Sequence, residues 1–166
     1  MDETLKSTTS ILRKIIYNHN GDVSRVYLAG QSMGGNGAWL YASKQLHTFA
    51  AVVVVCGYVY PQYVPLVAKR LRRSKMGVGV VHAADDSVIP VSAGDEMVAA
   101  LRAEGVVPRY WRYAHAPGPP MSEFSHLVGH GSYEIAFRDP GLYNWLLQHE
   151  CRDCGTLEAA AFRAFN

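Results

Sequence analysis

Apolar positions in this chain recur with two different periods, and the period switches from segment to segment. Leu5, Ile11, Leu12, Ile15 and Ile16 return at roughly helical spacing, which predicts an amphipathic helix over 4–18. Asn18-His19-Asn20-Gly21-Asp22 breaks it. Val23–Ala29 is rich in β-branched and aromatic residues and is predicted as a strand. Gly30–Gly37 is a glycine-rich turn, and a helix is expected over Gly34–Gln45. Phe49–Cys56 is a continuous apolar run, the pattern of a strand buried on both faces of a parallel sheet. A helix over Tyr63–Lys75 carries its basic residues toward the C-terminal end, where the helix dipole favours them.

The same alternation continues. Val78–Val81 is a third strand, Ser92–Glu104 a helix with Ser92 as N-cap and Gly105 as stop, and Val106–Tyr113 a fourth strand. Ala116–Met121 is a Pro/Gly-rich loop. Ser132–Phe137 and Leu142–His149 are helical, parted by Asp139-Pro140-Gly141. A helix followed by strand and helix four times over predicts an α/β fold. Its mostly parallel sheet has about four strands, flanked by helices and joined by right-handed crossovers. No internal repeat or low-complexity tract interrupts it.

Composition narrows the class. The chain has 166 residues, 49% apolar and 18% charged, with a formal charge of +2, which fits one globular domain and argues against disorder. That charge does not point to a nucleic-acid partner. The dense basic cluster, Lys69-Arg70-Leu71-Arg72-Arg73 with Lys75, is best explained as the solvated end of a helix. The longest apolar run, Phe49–Cys56, falls far short of the ~20 residues of a membrane span. The charged start, Met1-Asp2-Glu3-Thr4-Leu5-Lys6, lacks the apolar core of a signal peptide, so a cytoplasmic place is favoured. Three cysteines do not make a disulfide scaffold. Cys151 and Cys154 form one CxxC beside His149, but no second pair completes a zinc site, and the expectation is a tail with two free thiols. No metal or cofactor is implied.

The candidate chemistry lies in three segments that each follow a strand. Gly30-Gln31-Ser32-Met33-Gly34 is a G-x-S-x-G between strand and helix, the context of a nucleophile elbow. Small residues at 30 and 34 let neighbouring backbone approach, and the Met33 N–H at the helix start can face a developing oxyanion. A plain glycine turn or a phosphate loop are the rivals, but Gly34-Gly35-Asn36-Gly37 does not complete G-x-G-x-x-G. Serine needs a base, and the base an orienting acid. His82-Ala83-Ala84-Asp85-Asp86-Ser87-Val88-Ile89-Pro90 offers two carboxylates after the third strand, and Val128-Gly129-His130-Gly131-Ser132 offers a histidine after the fourth. Both lie at the C-terminal ends of strands, where open α/β sheets bind ligands.

These segments resemble the α/β-hydrolase superfamily, and more narrowly its phospholipase/carboxylesterase, feruloyl-esterase-like and "predicted peptidase" branch. Asp22 to Trp39 is similar to that branch's elbow. His82–Pro90 is similar to its HGxxDxxVP segment, with Ala83 in place of the glycine. Gly129-His130-Gly131-Ser132-Tyr133 with Asp139–Leu147 resembles its histidine motif and last helix. The resemblance implies Ser32, Asp86 and His130 as catalytic residues, Asp86 rather than Asp85 as the acid, and the Met33 N–H as oxyanion donor. The loop before His130 is longer than the family's by Ala116–Ser125, which leaves His115 and His126 as fallback bases. The resemblance also implies strands and an oxyanion loop ahead of the elbow, where this chain has one helix.

The expectation is therefore a truncated α/β-hydrolase fold over 1–150 with a tail at 151–166. Its activity would be that of a carboxylic ester hydrolase acting on a small-molecule ester, with thioesters and activated amides as relatives. Tyr58, Tyr60 and Tyr63 could line a pocket above the elbow or serve as packing residues. The alternative is a weak or inactive remnant acting as a structural or interaction protein. A nucleotide-binding module leaves the Asp and His segments unexplained. With no strands before it, the Val23–Ala29 strand would leave one edge open, a candidate route to self-association.

Overall fold

The computed structural model describes residues 3–152 and Cys154. Four strands, β1 (Tyr27–Gln31), β2 (Ala51–Val55), β3 (Gly77–Ala83) and β4 (Arg109–Tyr113), pair in chain order as one parallel sheet. In register, Tyr27 lies opposite Ala51, Ala51 opposite Gly77, and Gly79 opposite Arg109. Helices α1 (Glu3–Asn18), α2 (Ser32–Lys44), α3 (Val64–Leu71), α4 (Ser92–Ala103), α5 (Ser132–Ala136) and α6 (Pro140–Leu146) flank it. This is the α/β class, strand number and parallel pairing that the hydrophobic pattern predicts.

Side-chain alternation along β2 divides the core. Val52 and Val54 join Trp39 and Ala42 of α2, Leu71 of α3 and Met97 and Leu101 of α4 on one face. Val53 and Val55 join Val81, Ala136 and Leu142 on the other, against Trp111 and Trp145. Every residue of β2 and β3 is buried, as an unbroken apolar run between two helix layers requires. The edge strands β1 and β4 have no fully buried residue, and among the described residues no strand pairs with the outer edge of β1.

Several boundaries shift for local reasons. Val23–Arg25 is a 3-10 turn capped by the Asp22 carboxylate, which accepts from the Ser24 N–H, so the strand starts at Tyr27. Val106–Pro108 lies outside β4, and Val107 is 91% exposed. Ser92 is the first residue of α4 and not its cap; that position falls to Val91, which makes no side-chain cap bond. Gly105 does stop the helix, at φ +80, a conformation that favours glycine. The basic cluster closes α3, with Leu71 buried and Arg72 paired with Glu104 at 3.5 Å.

The expected free thiols at the C-terminal end are corrected. Cys151 and Cys154 are joined as a disulfide, which leaves Cys56, buried at the end of β2, as the free cysteine. Spacing cannot report this, because CxxC suits a thiol pair, a half metal site and a short disulfide loop alike. The segment before it runs back beneath β1: Cys151 N–H donates to Ser24 O at 2.8 Å, and Arg25 pairs with Glu150 at 2.6 Å. The rest of the expected 151–166 tail, beyond Arg152 and Cys154, lies outside the described residues.

Candidate active site

The strand-to-helix turn at the end of β1 is tighter than the sequence pattern predicts. Instead of a glycine turn over Gly30–Gly37, α2 begins at Ser32 itself, directly after Gln31. The reversal is absorbed by Ser32, which has φ +50. A non-glycine residue there is uncommon and persists only where its surroundings enforce it. Glycine is needed at 30: a Cβ there would overlap the Gly34 carbonyl oxygen and come 2.7 Å from its carbon and 3.0 Å from Ala38 Cβ. At 34 a Cβ would meet nothing within 4 Å, so the small-residue requirement expected at both positions rests on Gly30. The second close approach is one the pattern did not identify, between Gly35 and Gly57, where a Cβ on Gly35 would lie 2.8 Å from Gly57 Cα.

Ser32, Asp86 and His130 converge at the C-terminal ends of β1, β3 and β4. His130 Nε2 is 2.9 Å from Ser32 Oγ, and His130 Nδ1 is 3.1 Å from each Asp86 oxygen. The Asp86 side chain has no exposed surface. Burial pushes its carboxyl up, but hydrogen bonds from His82, the Ile89 and Val88 N–H groups and His130 outweigh it and hold the group at about 2. Both backbone donors reach Oδ1 at 2.9 Å, so the turn after β3 is built around this carboxylate. Met33 follows Ser32 in the first turn of α2, where N–H groups have no acceptor within the helix. Its side chain is 78% exposed.

Asp85 does something else. It accepts from the Ala116 N–H at 3.1 Å and faces His115 Nδ1 at 3.2 Å, so it anchors the long loop before His130. That loop is closed by bonds from Gly129 N–H to Ala116 O and from Gly131 N–H to Pro117 O. Gly129, at φ +81, lies against the Asp85–Asp86 backbone, where a Cβ would collide. The fallback bases stand apart: the His115 side chain is 86% exposed on Asp85, and His126 is an exposed loop residue. Tyr58 and Tyr60 meet edge to face at 5.8 Å, and Tyr58 O accepts from Asn36 of α2 at 3.0 Å. Tyr60 and Tyr63 are exposed.

Two buried residues beside this group carried no separate signal in the sequence. His82 Nε2 lies 3.5 Å from Asp86 Oδ2. Cys56, at φ +38, contacts the His130 carbonyl through Sγ at 3.6 Å, and burial pushes its thiol up to about 11. Donor atoms of Cys56, Asp86 and His130 fall within 4.8 Å of one another. A metal there would need a thiolate and a free imidazole nitrogen. The thiol is instead held protonated, and both His130 nitrogens face protein partners.

Comparison with known proteins agrees with the fold. A thermostable esterase superposes with a TM-score of 0.71 at 28% identity, over 90% of this chain and 37% of that one. A putative dienelactone hydrolase from Klebsiella pneumoniae gives 0.61 at 20% identity, over 84% of this chain and 58% of that one. The acylaminoacyl peptidase of Pyrococcus horikoshii gives 0.57 at 15% identity, over 67% and 23%. The chain thus spans 37% and 58% of the lengths of the first two. No curated protein matches it. The model of the dienelactone hydrolase family matches residues 1–117, a stretch that takes in Ser32 and Asp86 and ends before His130. With the parallel sheet and the strand-to-helix turn at Ser32, this match shows that the chain belongs to the dienelactone hydrolase family, of the α/β-hydrolase type.

Proposed function

We propose that the chain is a serine hydrolase of carboxylic esters, with Ser32 as nucleophile, His130 as base and Asp86 as orienting acid. The observation that carries this reading is the unbroken hydrogen-bonded line from Ser32 Oγ through both nitrogens of His130 to the buried Asp86 carboxylate. His130 Nε2 takes the serine proton as Oγ attacks the ester carbonyl. The Met33 N–H receives the charge that grows on the carbonyl oxygen. The protonated imidazole returns the proton to the departing alcohol, leaving an acyl-serine. Water attacks that acyl group with His130 again as base, which releases the acid and restores Ser32. Asp86 stays ionised throughout and holds the Nδ1 hydrogen, which leaves Nε2 free to accept.

The family's name adds a lactone, which is a cyclic ester, to the substrates to be tried. Thioesters and activated amides share the acyl-transfer chemistry. The test is a chain-length series of p-nitrophenyl esters on the wild type and on Ser32→Ala. The reading requires hydrolysis that the substitution removes.

A second reading has its own support. The chain spans 37% of the thermostable esterase, and among the described residues the outer edge of β1 is unpaired. With the Met33 N–H as the single oxyanion donor, hydrolysis would be slower by about 10²–10³, and turnover in that reduced range, still abolished by Ser32→Ala, is the signature of this weaker activity.

A further inference from the structure

His82 is the penultimate residue of β3, which is buried throughout, and its side chain has no exposed surface. Nε2 lies 2.9 Å from the Ile89 carbonyl oxygen and 3.5 Å from Asp86 Oδ2. A carbonyl oxygen can only accept, so the ring's hydrogen sits on Nε2. Among the described residues, buried Nδ1 has no hydrogen-bond partner. Gly94 of α4 lies against the ring: a Cβ there would come 2.8 Å from Nδ1 and 3.1 Å from the Tyr110 hydroxyl. That hydroxyl donates to Asp95 at 2.8 Å, and Asp95 is also bound by Arg112 at 3.0 Å. No acceptor is turned toward Nδ1, and a hydrogen there would be buried unmet, which is costly. The ring therefore has one hydrogen to offer, aimed between the Ile89 carbonyl and the Asp86 carboxylate.

Of the two Asp86 oxygens, Oδ1 is held by two backbone N–H groups. Oδ2 meets two side chains, His130 and His82. We infer that His82 is a positioning residue for Asp86: its Nε2–H, shared with the Ile89 carbonyl, fixes the rotation of the carboxylate so that both oxygens face His130 Nδ1. The same bond ties the 88–89 turn to β3, so carboxylate and turn are set together. Gly94 is the allowance α4 makes for the ring. The inference rests on the reading of Asp86 as the acid of the Ser32–His130 pair.

The test compares His82→Leu with His82→Gln. The glutamine amide nitrogen falls near the Nε2 position and has two hydrogens, one for each acceptor. In His82→Leu the kcat for a p-nitrophenyl ester falls by about tenfold to a hundredfold, the factor that one hydrogen bond to a charged group carries. KM stays unchanged, because substrate contacts are untouched. His82→Gln recovers most of the loss. Equal losses in both variants, or a change confined to KM, overturn the inference. Two magnetic-resonance readouts do not depend on turnover. In the wild type, nitrogen-15 spectra at neutral pH show His82 with hydrogen on Nε2 and a bare Nδ1; hydrogen on Nδ1 overturns the inference even if neither variant folds. The low-field His130 Nδ1 proton moves in His82→Leu and returns in His82→Gln. If the wild type hydrolyses no ester, the hydrolase reading fails while these spectra still decide the role of His82.

Discussion

Three glycines at the turn after β1 look interchangeable in the sequence and should respond very differently to one added methyl group. In Gly30→Ala the new Cβ would overlap the Gly34 carbonyl and lie 3.0 Å from Ala38 Cβ. Most of what it strikes is helix backbone, which cannot swing aside as a side chain can. Overpacking of this kind costs about 3 kcal/mol or more. In a chain of this size that lowers the melting temperature by about 6–12 °C. In Gly35→Ala the Cβ would meet Gly57 Cα at 2.8 Å and Val54 Cγ1 at 3.0 Å, so a loss of about 1–3 kcal/mol is expected. In Gly34→Ala the Cβ enters open space within α2, and reduced freedom of the unfolded chain should make the change neutral or stabilising by about 0.5 kcal/mol. Thermal melts and urea titrations of the three variants, followed by circular dichroism, rank them. A Gly30→Ala protein as stable as Gly34→Ala would refute the geometry of the turn.

Other consequences can be measured without turnover. Thiol titration of the native protein without reductant should count none, because Cys56 is buried with its thiol pushed up to about 11 and the other two are joined; denaturation should expose Cys56 alone. Two further thiols in the denatured protein would contradict the disulfide. Asp86 is held at about 2 against an ordinary 3.8, so its stabilisation is full above about 4 and is lost as pH falls through 2. The stability gap between wild type and Asp86→Asn should be constant from neutral pH to about 4 and close towards 2; a gap that closes near pH 6 contradicts the site. With activity as the readout, Asp86→Asn should lower kcat by about 10⁴, because the imidazole loses its correct tautomer.

Much of the layout was legible because hydrophobic period reports the neighbours of each segment. The run Phe49–Cys56 has the pattern of a strand covered on both faces, and β2 is buried throughout. The convergence of Ser32, Asp86 and His130 was legible because each follows a strand and parallel strands end on one side. One miss is local: the Asp22 carboxylate, which accepts from both the N–H and the hydroxyl of Ser24, caps Val23–Arg25 as a 3-10 turn instead of a strand start. The rest of what escaped depends on contacts between segments distant in the chain. The anchoring role of Asp85 depends on its carboxylate facing Ala116 and His115, about thirty residues on in the loop before His130. Gly35 and Gly57 show their purpose only when α2 lies on the end of β2. His82 lay within a segment resembling a known motif, yet its burial beside Asp86 follows from the packing of α4 at Gly94.

The central claim, that Ser32 is an activated nucleophile, is tested most directly by a fluorophosphonate probe with mass-spectrometric location of the adduct. The probe phosphonylates a serine only when a base removes its proton, so it reports the Ser32–His130 pair whatever the natural ester is. The account predicts a single adduct on Ser32, lost in Ser32→Ala and strongly slowed in His130→Ala. A folded wild-type protein that takes up no probe, or takes it up at another residue, would contradict it.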